Sequence, residues 1–600
     1  MTGVKKLLIF LFAFIGVVVM AFGITFYAIT KFFLPTEEGP ASIKPNSILT
    51  IKIGHTNLPE RGMGARIAQF LGSEGTTSLK SVLRGIYEAA EDNRIKGILL
   101  HITGNEIGLA KVQEIRDALI KFKNEGNEDK KFVIAFTDTF GELSNGTISY
   151  YLATAADEIW MQPQGYVCLT GLRFEIPFVR DLFNEHGIAP QLARREEYKS
   201  LVETYTEMNF SQAYKESMRQ TLSNLIDQLV VGISRSRKLK PEQVKKLIDN
   251  GPYNEQEALK HKLIDKLAYQ DEITSSIRQR VGDDTYMYSL RGYLKRMGPE
   301  MVSGDHVAVV YVDGAIQRDM NETAELFDDS EIDGLTTAKS ILQAAQEDSV
   351  RAIILRVNSP GGSPVASEAI WHAVDKSTNT FKKPVVVSMS DFAASGGYLI
   401  SCNATKIVAH PASLTGSIGV FGGKVVTSQA WRNLGINWSG LQAGKNASMW
   451  SSRVRYTKAE WDKLQAWLDK VYKVFIHKVA KGRNLSSEKV KELAKGRVWT
   501  GAEAIKLGLV DVLGGMDKAI EVAKQVGSLK PDEKVTLVEY PKPKTFGQRL
   551  FDAINDGSVD LIEHSKPDTV KVFRKFKDII SQFDAELSRN ILQQSEMKIR

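Results

Sequence analysis

Two segments of the chain, one in each half, carry residues from which a serine–lysine pair could be built. Ser395 lies in the small-residue stretch Ala-Ala-Ser-Gly-Gly, and Lys199 lies in Tyr-Lys-Ser. A serine hydroxyl becomes a strong nucleophile only when a neighbouring base takes its proton. A lysine can be that base when burial lowers its pKa from about 10.4 towards neutrality. Together the two residues would support hydrolysis through a covalent serine intermediate.

The two halves of the chain are copies of one module. The segment Tyr150–Trp160 matches Tyr398–Val408, and the match continues without a gap to Gly187 and Gly435. A match of this length at one constant spacing indicates an internal duplication of a whole domain.

Each copy lacks one of the two reactive residues. At this constant spacing Ser395 corresponds to Thr147, and Lys199 corresponds to Ala447. One copy therefore offers a serine without the lysine, and the other a lysine without the serine, as expected of one active site split between two repeats. Aligning from the preceding strand instead places Ser144 near the serine position, which leaves a second centre in the first repeat as an alternative.

Glycines beside the serine could supply an oxyanion site. Ser395 follows a predicted strand and precedes a predicted helix, so the N–H group of Gly396 would be a free donor at a helix N-terminus. The segment Asn-Ser-Pro-Gly-Gly-Ser places Gly361 and Gly362 after another strand, and one of them would be the second donor. The alternative is that Ser395 only caps the helix; the paired glycines and the duplicated context favour the nucleophile.

The base could be a residue other than the lysine. His410 is the histidine nearest to Ser395 in the sequence, but its place before a proline is typical of a strand end. Lys199 could equally be a surface lysine, and Ser417, in Leu-Thr-Gly-Ser-Ile-Gly, is either a hydroxyl that holds the lysine amine or a turn residue. No zinc motif, Walker A loop or Rossmann fingerprint occurs in the sequence, so no cofactor or metal is expected.

The elements that must position these residues alternate between strands and helices. Apolar strands and amphipathic helices recur at a spacing that indicates βαβ units and a mostly parallel sheet. The fold class is therefore α/β, with predicted strands Ser47–Ile53, Ile95–Ile102, Val307–Val312 and Val350–Val357 and predicted helices Leu79–Asp92 and Leu335–Asp348.

Length and composition set the organisation of the chain. Its 600 residues are too many for one core, and a net charge of +7 without a basic block argues against nucleic-acid binding. Two cysteines, Cys168 and Cys402, exclude a disulfide framework and are expected to be buried thiols. We predict an anchor at 1–34, a first repeat at 47–281, a second repeat at 305–540 and a basic helical tail at 541–600.

The predicted anchor rests on one long apolar run. Residues Leu7–Thr30 contain no charged side chain, which is enough to span a bilayer as a helix and too long for a cleavable signal peptide. Lys5 and Lys6 precede the run, so the N-terminus is expected in the cytoplasm and the body of the protein on the other side of the membrane.

The motifs around Ser395, Lys199, Ser417 and the paired glycines resemble those of signal peptide peptidase A (protease IV), in its long, duplicated bacterial form. The resemblance spans residues 1–540 and implies two tandem ClpP/crotonase-like domains with an alpha/beta spiral core. It also implies a homotetramer on the outer face of the inner membrane that degrades cleaved signal peptides. The resemblance implies that Ser395 is the nucleophile, Lys199 the general base and Ser417 a supporting hydroxyl. It implies that the oxyanion site is formed by Gly361, Gly362 and Gly396.

Two other functions remain open on this fold. One is a non-proteolytic scaffold that binds membrane peptides, which the presence of both Ser395 and Lys199 disfavours. The other is crotonase-type acyl-CoA chemistry, which also uses backbone oxyanion sites but needs neither a membrane anchor nor a split serine–lysine pair.

Overall fold

The structure is a computed structural model that describes residues 42–54, 58–61, 77–104, 107–124, 130–298, 304–318, 331–533 and 535–542. The predicted anchor at 1–34 lies outside these residues, as does all but the beginning of the predicted tail at 541–600. Of the helices in the described ranges, none combines the length and apolarity that a membrane crossing requires.

The first repeat is built on a parallel sheet with the strand order β8-β4-β3-β2-β1-β9. Its strands are β1 (Ser47–Ile53), β2 (Ile95–Ile102), β3 (Phe132–Thr137), β4 (Glu158–Met161), β5 (Tyr166–Val167), β6 (Ala189–Arg194), β7 (Tyr253–Asn254), β8 (Lys266–Leu267) and β9 (Tyr286–Ser289). Its helices are α1 (Leu79–Glu91), α2 (Leu109–Asn124), α3 (Thr147–Ala153), α4 (Arg180–Glu185), α5 (Glu203–Thr206), α6 (Gln212–Arg237), α7 (Pro241–Asn250), α8 (Glu255–Lys260), α9 (Gln270–Val281) and α10 (Leu290–Met297).

The second repeat has the same strand order, β19-β15-β14-β13-β10-β20, with β16 and β18 added beyond the end of β14. Its strands are β10 (His306–Asp313), β11 (Ala315–Gln317), β12 (Glu331–Asp333), β13 (Val350–Ser359), β14 (Val385–Ala394), β15 (Lys406–Ala409), β16 (Leu414–Gly416), β17 (Phe421–Val426), β18 (Val498–Thr500), β19 (Val512–Leu513) and β20 (Thr536–Tyr540). Its helices are α11 (Gly334–Gln346), α12 (Pro364–Asn379), α13 (Gly396–Ser401), α14 (Ser428–Asn433), α15 (Lys458–Arg483), α16 (Ser487–Leu493), α17 (Gly501–Ala504) and α18 (Met516–Val526).

The predicted α/β class and the duplication are both confirmed by this topology. Strand β3 and nearly all of β13 and β14 are buried, because helices cover both faces of each sheet, and this explains their continuous apolar sequence. The fold of the first repeat continues past the predicted boundary at residue 281, since β9 pairs with β1 in parallel and α10 contributes to the core. The ClpP/crotonase-like designation stays a prediction.

A buried cluster of charges joins the two repeats. Arg356 on β13 donates from Nε to Glu60 Oε2 at 2.8 Å and from Nη2 to Glu114 Oε2 at 2.6 Å, and both carboxylates belong to the first repeat. Burial disfavours the charge on Arg356, but Glu114 and Glu60 more than compensate and raise its pKa. Lys111 Nζ, on α2, lies 3.7 Å from both Glu60 and Asp391. Since removing one partner of a buried ion pair is costly, the cluster fixes how the repeats sit together.

A second junction is a small antiparallel sheet shared between the repeats. Strand β6 of the first repeat pairs with β17 of the second, with Ala189 opposite Val426 and Arg194 opposite Phe421. The ladder continues with Arg195 N–H donating to the carbonyl of Val420 at 2.8 Å. Because Lys199 follows shortly after β6, this pairing carries the lysine of one repeat to the serine of the other.

Candidate active site

Ser395 occupies a strained turn between β14 and α13. Its φ of 55° and ψ of −117° lie in a region that residues with side chains rarely adopt. Its N–H donates to the carbonyl of Gly416 at 2.9 Å, and its own carbonyl accepts from the N–H groups of Tyr398 and Leu399. These bonds hold the backbone in place, so the hydroxyl is presented at the N-terminus of a helix.

The strand that leads to Ser395 is fixed from two sides. An irregularity in the β13–β14 register is filled by Asn358, whose Oδ1 accepts from the N–H of Phe392 at 3.2 Å. Asp391 Oδ1 accepts from the N–H groups of Ala110 and Lys111, at 3.1 and 3.2 Å, in the first turn of α2 of the other repeat. The nucleophile segment is therefore tied directly to the repeat that carries the lysine.

Lys199 reaches Ser395 across the junction between the repeats. Its Nζ lies 3.0 Å from Ser395 Oγ, 2.9 Å from Ser417 Oγ and 3.0 Å from the carbonyl oxygen of Ser417, to which it donates. The side chain is only 5% exposed, and burial lowers the pKa of Lys199 to about 7. A large share of the amine is therefore neutral near pH 7, which a proton acceptor requires.

The backbone at Gly496 positions the lysine. The carbonyl of Lys495 accepts from the N–H of Tyr198 at 3.0 Å, and the carbonyl of Arg497 accepts from the N–H of Ser417 at 2.8 Å. Gly496 itself has a φ of 79°, and a Cβ there would lie 2.7 Å from Lys199 Cα. Only glycine allows this approach, so the three-residue segment holds the lysine and Ser417 together.

Glu196 and Glu197 precede the lysine in the sequence, and neither is a cause of its lowered pKa. Glu197 pairs with Lys495, with Oε1 and Nζ 3.0 Å apart. Burial, rather than a neighbouring carboxylate, is what sets the pKa of Lys199.

The paired glycines line the space beside Ser395. The N–H of Gly361 donates to Ser359 Oγ at 3.2 Å, so this amide is already used. A Cβ on Gly396 would lie 3.2 Å from the nitrogen of Gly362, and a Cβ on Gly361 would lie 2.7 Å from the nitrogen of Gly396. The geometry favours Gly362 and Gly396 as the two donors, with Gly361 leaving the room that they need.

The structure also places the residues that the sequence left as alternatives for the base and for the nucleophile. His410 is buried, which lowers its pKa, and its Nδ1 lies 3.9 Å from Asp117 Oδ2 at the repeat junction. Thr147 Oγ1 accepts from the N–H groups of Thr170 and Gly171, at 3.1 and 3.0 Å. Ser144 is exposed on a loop. Cys168 and Cys402 are free, buried thiols, as expected.

Sequence reasoning missed three residues that shape the site: Asn358, Asp391 and Gly496. Asn358 and Asp391 lie within or beside the motifs around the paired glycines and Ser395, so their positions could have indicated a role in the site. Gly496 lies in neither motif. No group of His, Cys, Asp or Glu able to hold a metal ion occurs within the residues that the structure covers.

Comparison with known proteins identifies the family. The profile of Peptidase family S49 matches twice, at residues 126–283 and 377–530. The chain is 32% identical over 476 residues to "Serine protease SPPA, chloroplastic" of Arabidopsis thaliana, covering 78% of this chain and 68% of the relative.

Two bacterial relatives are similar over comparable lengths. Identity to "Protease 4" of Salmonella typhi is 32% over 468 residues, which is 76% of this chain and 72% of the relative. Identity to "Protease 4" of Haemophilus influenzae is 31% over 507 residues, which is 82% and 78%. The chain therefore belongs to peptidase family S49, a family of serine proteases, and carries the family's domain twice.

Proposed function

We propose that the protein is a serine endopeptidase in which Ser395 is the nucleophile and Lys199 the general base. The observation that carries the proposal is the 3.0 Å separation of Lys199 Nζ and Ser395 Oγ, together with the burial that lowers the pKa of this lysine to about 7. A Ser–Lys pair in which burial keeps the amine neutral can activate the hydroxyl without a histidine.

The proposed reaction follows from the contacts of the amine. Neutral Lys199 Nζ takes the proton of Ser395 Oγ as this oxygen attacks the peptide carbonyl, and the N–H groups of Gly362 and Gly396 bind the resulting oxyanion. The ammonium is held by the hydroxyl and carbonyl of Ser417 and passes its proton to the leaving amine. The same lysine then activates the water that releases the acyl group from Ser395.

We further propose that the substrates are cleaved signal peptides and other peptides of membrane origin. The support is the apolar run Leu7–Thr30, which would anchor the catalytic body as a single-pass protein on the extracytoplasmic side of the inner membrane. A relative from Enterococcus faecium, 35% identical over 208 residues, is called "Putative signal peptide peptidase SppA". Assembly as a homotetramer is part of the same proposal.

Peptide hydrolysis by the purified full chain in detergent tests the assignment. We expect Ser395→Ala and Lys199→Ala to lose at least about 10³-fold in kcat/KM, because each removes one half of the pair. Lys458→Ala is the matched control, since its side chain is 91% exposed. Circular dichroism of each variant verifies folding. Wild-type activity in folded Lys199→Ala would refute the lysine as base, and a wild type that cleaves nothing would favour the peptide-binding scaffold.

Both reactive residues lie in one chain, and this allows a second test. A mixture of Ser395→Ala and Lys199→Ala proteins should stay inactive after co-assembly, because neither chain contains a complete pair. Activity above the sum of the separate variants would show that the site forms between chains.

A further inference from the structure

The segment that carries Lys199 is closed by an ion pair between its two ends. Arg194 is the last residue of β6, and Glu203 is the first residue of α5. Arg194 Nη1 donates to Glu203 Oε1 at 2.5 Å and lies 3.5 Å from the carbonyl oxygen of Lys199. We propose that this pair, the lysine clasp, positions the amine of Lys199 for proton transfer, a role that rests on the proposed serine–lysine mechanism.

The carboxylate of Glu203 is buried and has partners on both oxygens. Its side chain is only 1% exposed, against 29% for Arg194. Oε1 also accepts from Ser211 Oγ at 2.8 Å, and Oε2 accepts from the N–H of Ser211 at 3.0 Å. A buried carboxylate is stable only where such partners replace water, so these bonds hold Glu203 in one place.

Through Ser211 the clasp is connected to the long helix α6. Ser211 is the N-cap of this helix, and polar residues four positions apart dock the helix on the second repeat. Thr500 Oγ1 donates to Asn224 Oδ1 at 2.8 Å. Gln228 Nε2 donates to the carbonyl oxygen of Pro411 at 3.0 Å. One end of the clasp is therefore fixed relative to the repeat that carries the nucleophile.

The other end of the clasp is fixed to the same repeat by a different route. Arg194 stands opposite Phe421 in the ladder of β6 and β17. The next residue, Arg195, donates from Nε to Asp469 Oδ1 on α15 at 2.6 Å. The clasp thus joins two separate attachments to the second repeat, with β6 before Lys199 in the chain and α6 after it.

Between these attachments the backbone turns tightly. Glu196 has a φ of 70°, and Lys199 directly precedes a single turn of 3₁₀ helix, Ser200–Val202. Two hydrogen bonds inside the turn are long: the N–H of Lys199 donates to the carbonyl of Glu196 at 3.4 Å, and Ser200 Oγ donates to that of Glu197 at 3.3 Å. The turn therefore depends on attachments outside itself to keep the lysine in place.

The second repeat has neither member of the clasp. At the constant spacing between the repeats, Gln442 takes the position of Arg194. Residues 392–459 contain no Asp or Glu, so Glu203 has no counterpart however the two loops are aligned. The copy that lacks the lysine therefore also lacks the ion pair around it.

An ion pair elsewhere in the module is present in both repeats. Arg237 Nη2 donates to Asp265 Oδ1 at 2.8 Å in the first repeat. Arg483 Nη2 donates to Asp511 Oδ1 at the same distance in the second. The duplication kept this pair and not the clasp, as expected if the clasp serves the chemistry of one copy rather than the fold of both.

The pH dependence of kcat/KM of the full chain in detergent tests the clasp. We expect Glu203→Gln and Arg194→Met each to lower kcat by about 10- to 100-fold with little change in KM, because the amine is displaced. Each should also raise the midpoint of the pH profile from about 7 by at least about 1 pH unit, since a loosened turn lets water reach the amine. Arg194→Lys, which keeps the charge, should recover most of both effects.

Asp265→Asn is the matched control, because it breaks the ion pair that both repeats keep. It should lower the free energy of unfolding and leave the midpoint at about 7. Acting through space by charge alone, loss of Glu203 would lower the midpoint and loss of Arg194 would raise it. A midpoint that stays at about 7 or falls in either clasp variant would overturn the clasp, even where kcat falls.

A second measurement gives the pKa of Lys199 without catalysis. Trace acetylation of Lys199 by acetic anhydride is followed by mass spectrometry as a function of pH in Ser395→Ala, with and without Glu203→Gln. We expect the acetylation midpoint to rise in the double variant by at least about 1 pH unit. An unchanged acetylation midpoint would overturn the clasp, whereas full peptide hydrolysis by Lys199→Ala would overturn the proposed mechanism, so the two failures are distinguishable.

Discussion

Changing the pH should titrate Lys199 inside the site, and the rate of acylation should follow it. Burial lowers the pKa of this amine from 10.5 to about 7, a difference worth about 5 kcal/mol between its charged and neutral forms. At pH 8 about 90% of the amine would be neutral, against about 0.3% for an unshifted lysine. The environment therefore raises the population of active base by a few hundredfold.

The assay is kcat/KM for an uncharged peptide between pH 5 and pH 9. We expect the rate to rise with pH along a single limb with a midpoint of about 7 and then to level off, because only the neutral amine accepts the proton. Inactivation of Ser395 by an uncharged phosphonate should show the same midpoint, since it uses the same proton transfer. A midpoint above about 9, or a full rate at pH 5, would refute the lysine as base.

The same titration should appear in the free energy of unfolding. A pKa that is lower in the folded protein means that the unfolded chain binds more protons between about pH 7 and pH 10.5, so stability rises with pH across that window. Lys199→Met should therefore stabilise the protein more at pH 6 than at pH 9, by about 3 kcal/mol. Lys458→Met, at an exposed site, is the control. An equal effect of Lys199→Met at both pH values would contradict the buried, neutral amine.

The remaining predictions concern the neighbours of the pair. Ser417→Ala should lower kcat by about 10- to 100-fold with little change in KM, because the ammonium loses one of its partners. Gly361→Ala should lower kcat/KM by at least about 10²-fold, because its Cβ would lie 2.7 Å from the nitrogen of Gly396 and displace this oxyanion donor. Gly54→Ala is the control and should leave kcat/KM unchanged, because a Cβ there has room. Asp391→Ala should lower the free energy of unfolding by about 1–3 kcal/mol in denaturant titrations, because it leaves two buried helix amides without an acceptor and removes one of the two carboxylates beside Lys111.

Much of the fold could be predicted because its strands are buried on both faces. The apolar run Val350–Val357 reads as a central parallel strand on composition alone, and β13 is that strand with two further residues. The second repeat then follows from the first, because the duplication fixes the order of elements. The end of the first repeat was harder, since β9 is half-exposed at the sheet edge and has little apolar pattern.

The candidate site was predictable where its chemistry is local and hidden where it depends on packing. Ser395 and the paired glycines stand in compact motifs. The first repeat has Thr147 where the second has the serine, and the second repeat has Ala447 where the first has the lysine, which indicated that the site is shared between the repeats. Gly496 could not be found in this way, because its importance comes from the approach of another repeat's backbone to within van der Waals distance. No spacing rule within its own segment contains that information.

A site built at a repeat junction explains why each copy could lose a different residue. The junction inside the chain unites the lysine of the first repeat with the serine of the second. Thr147, which corresponds to Ser395 in the first repeat, instead accepts from the amides of Thr170 and Gly171, so its hydroxyl stabilises the local backbone. Catalysis then requires one correctly joined pair of repeats per chain, and neither repeat needs to keep both reactive residues.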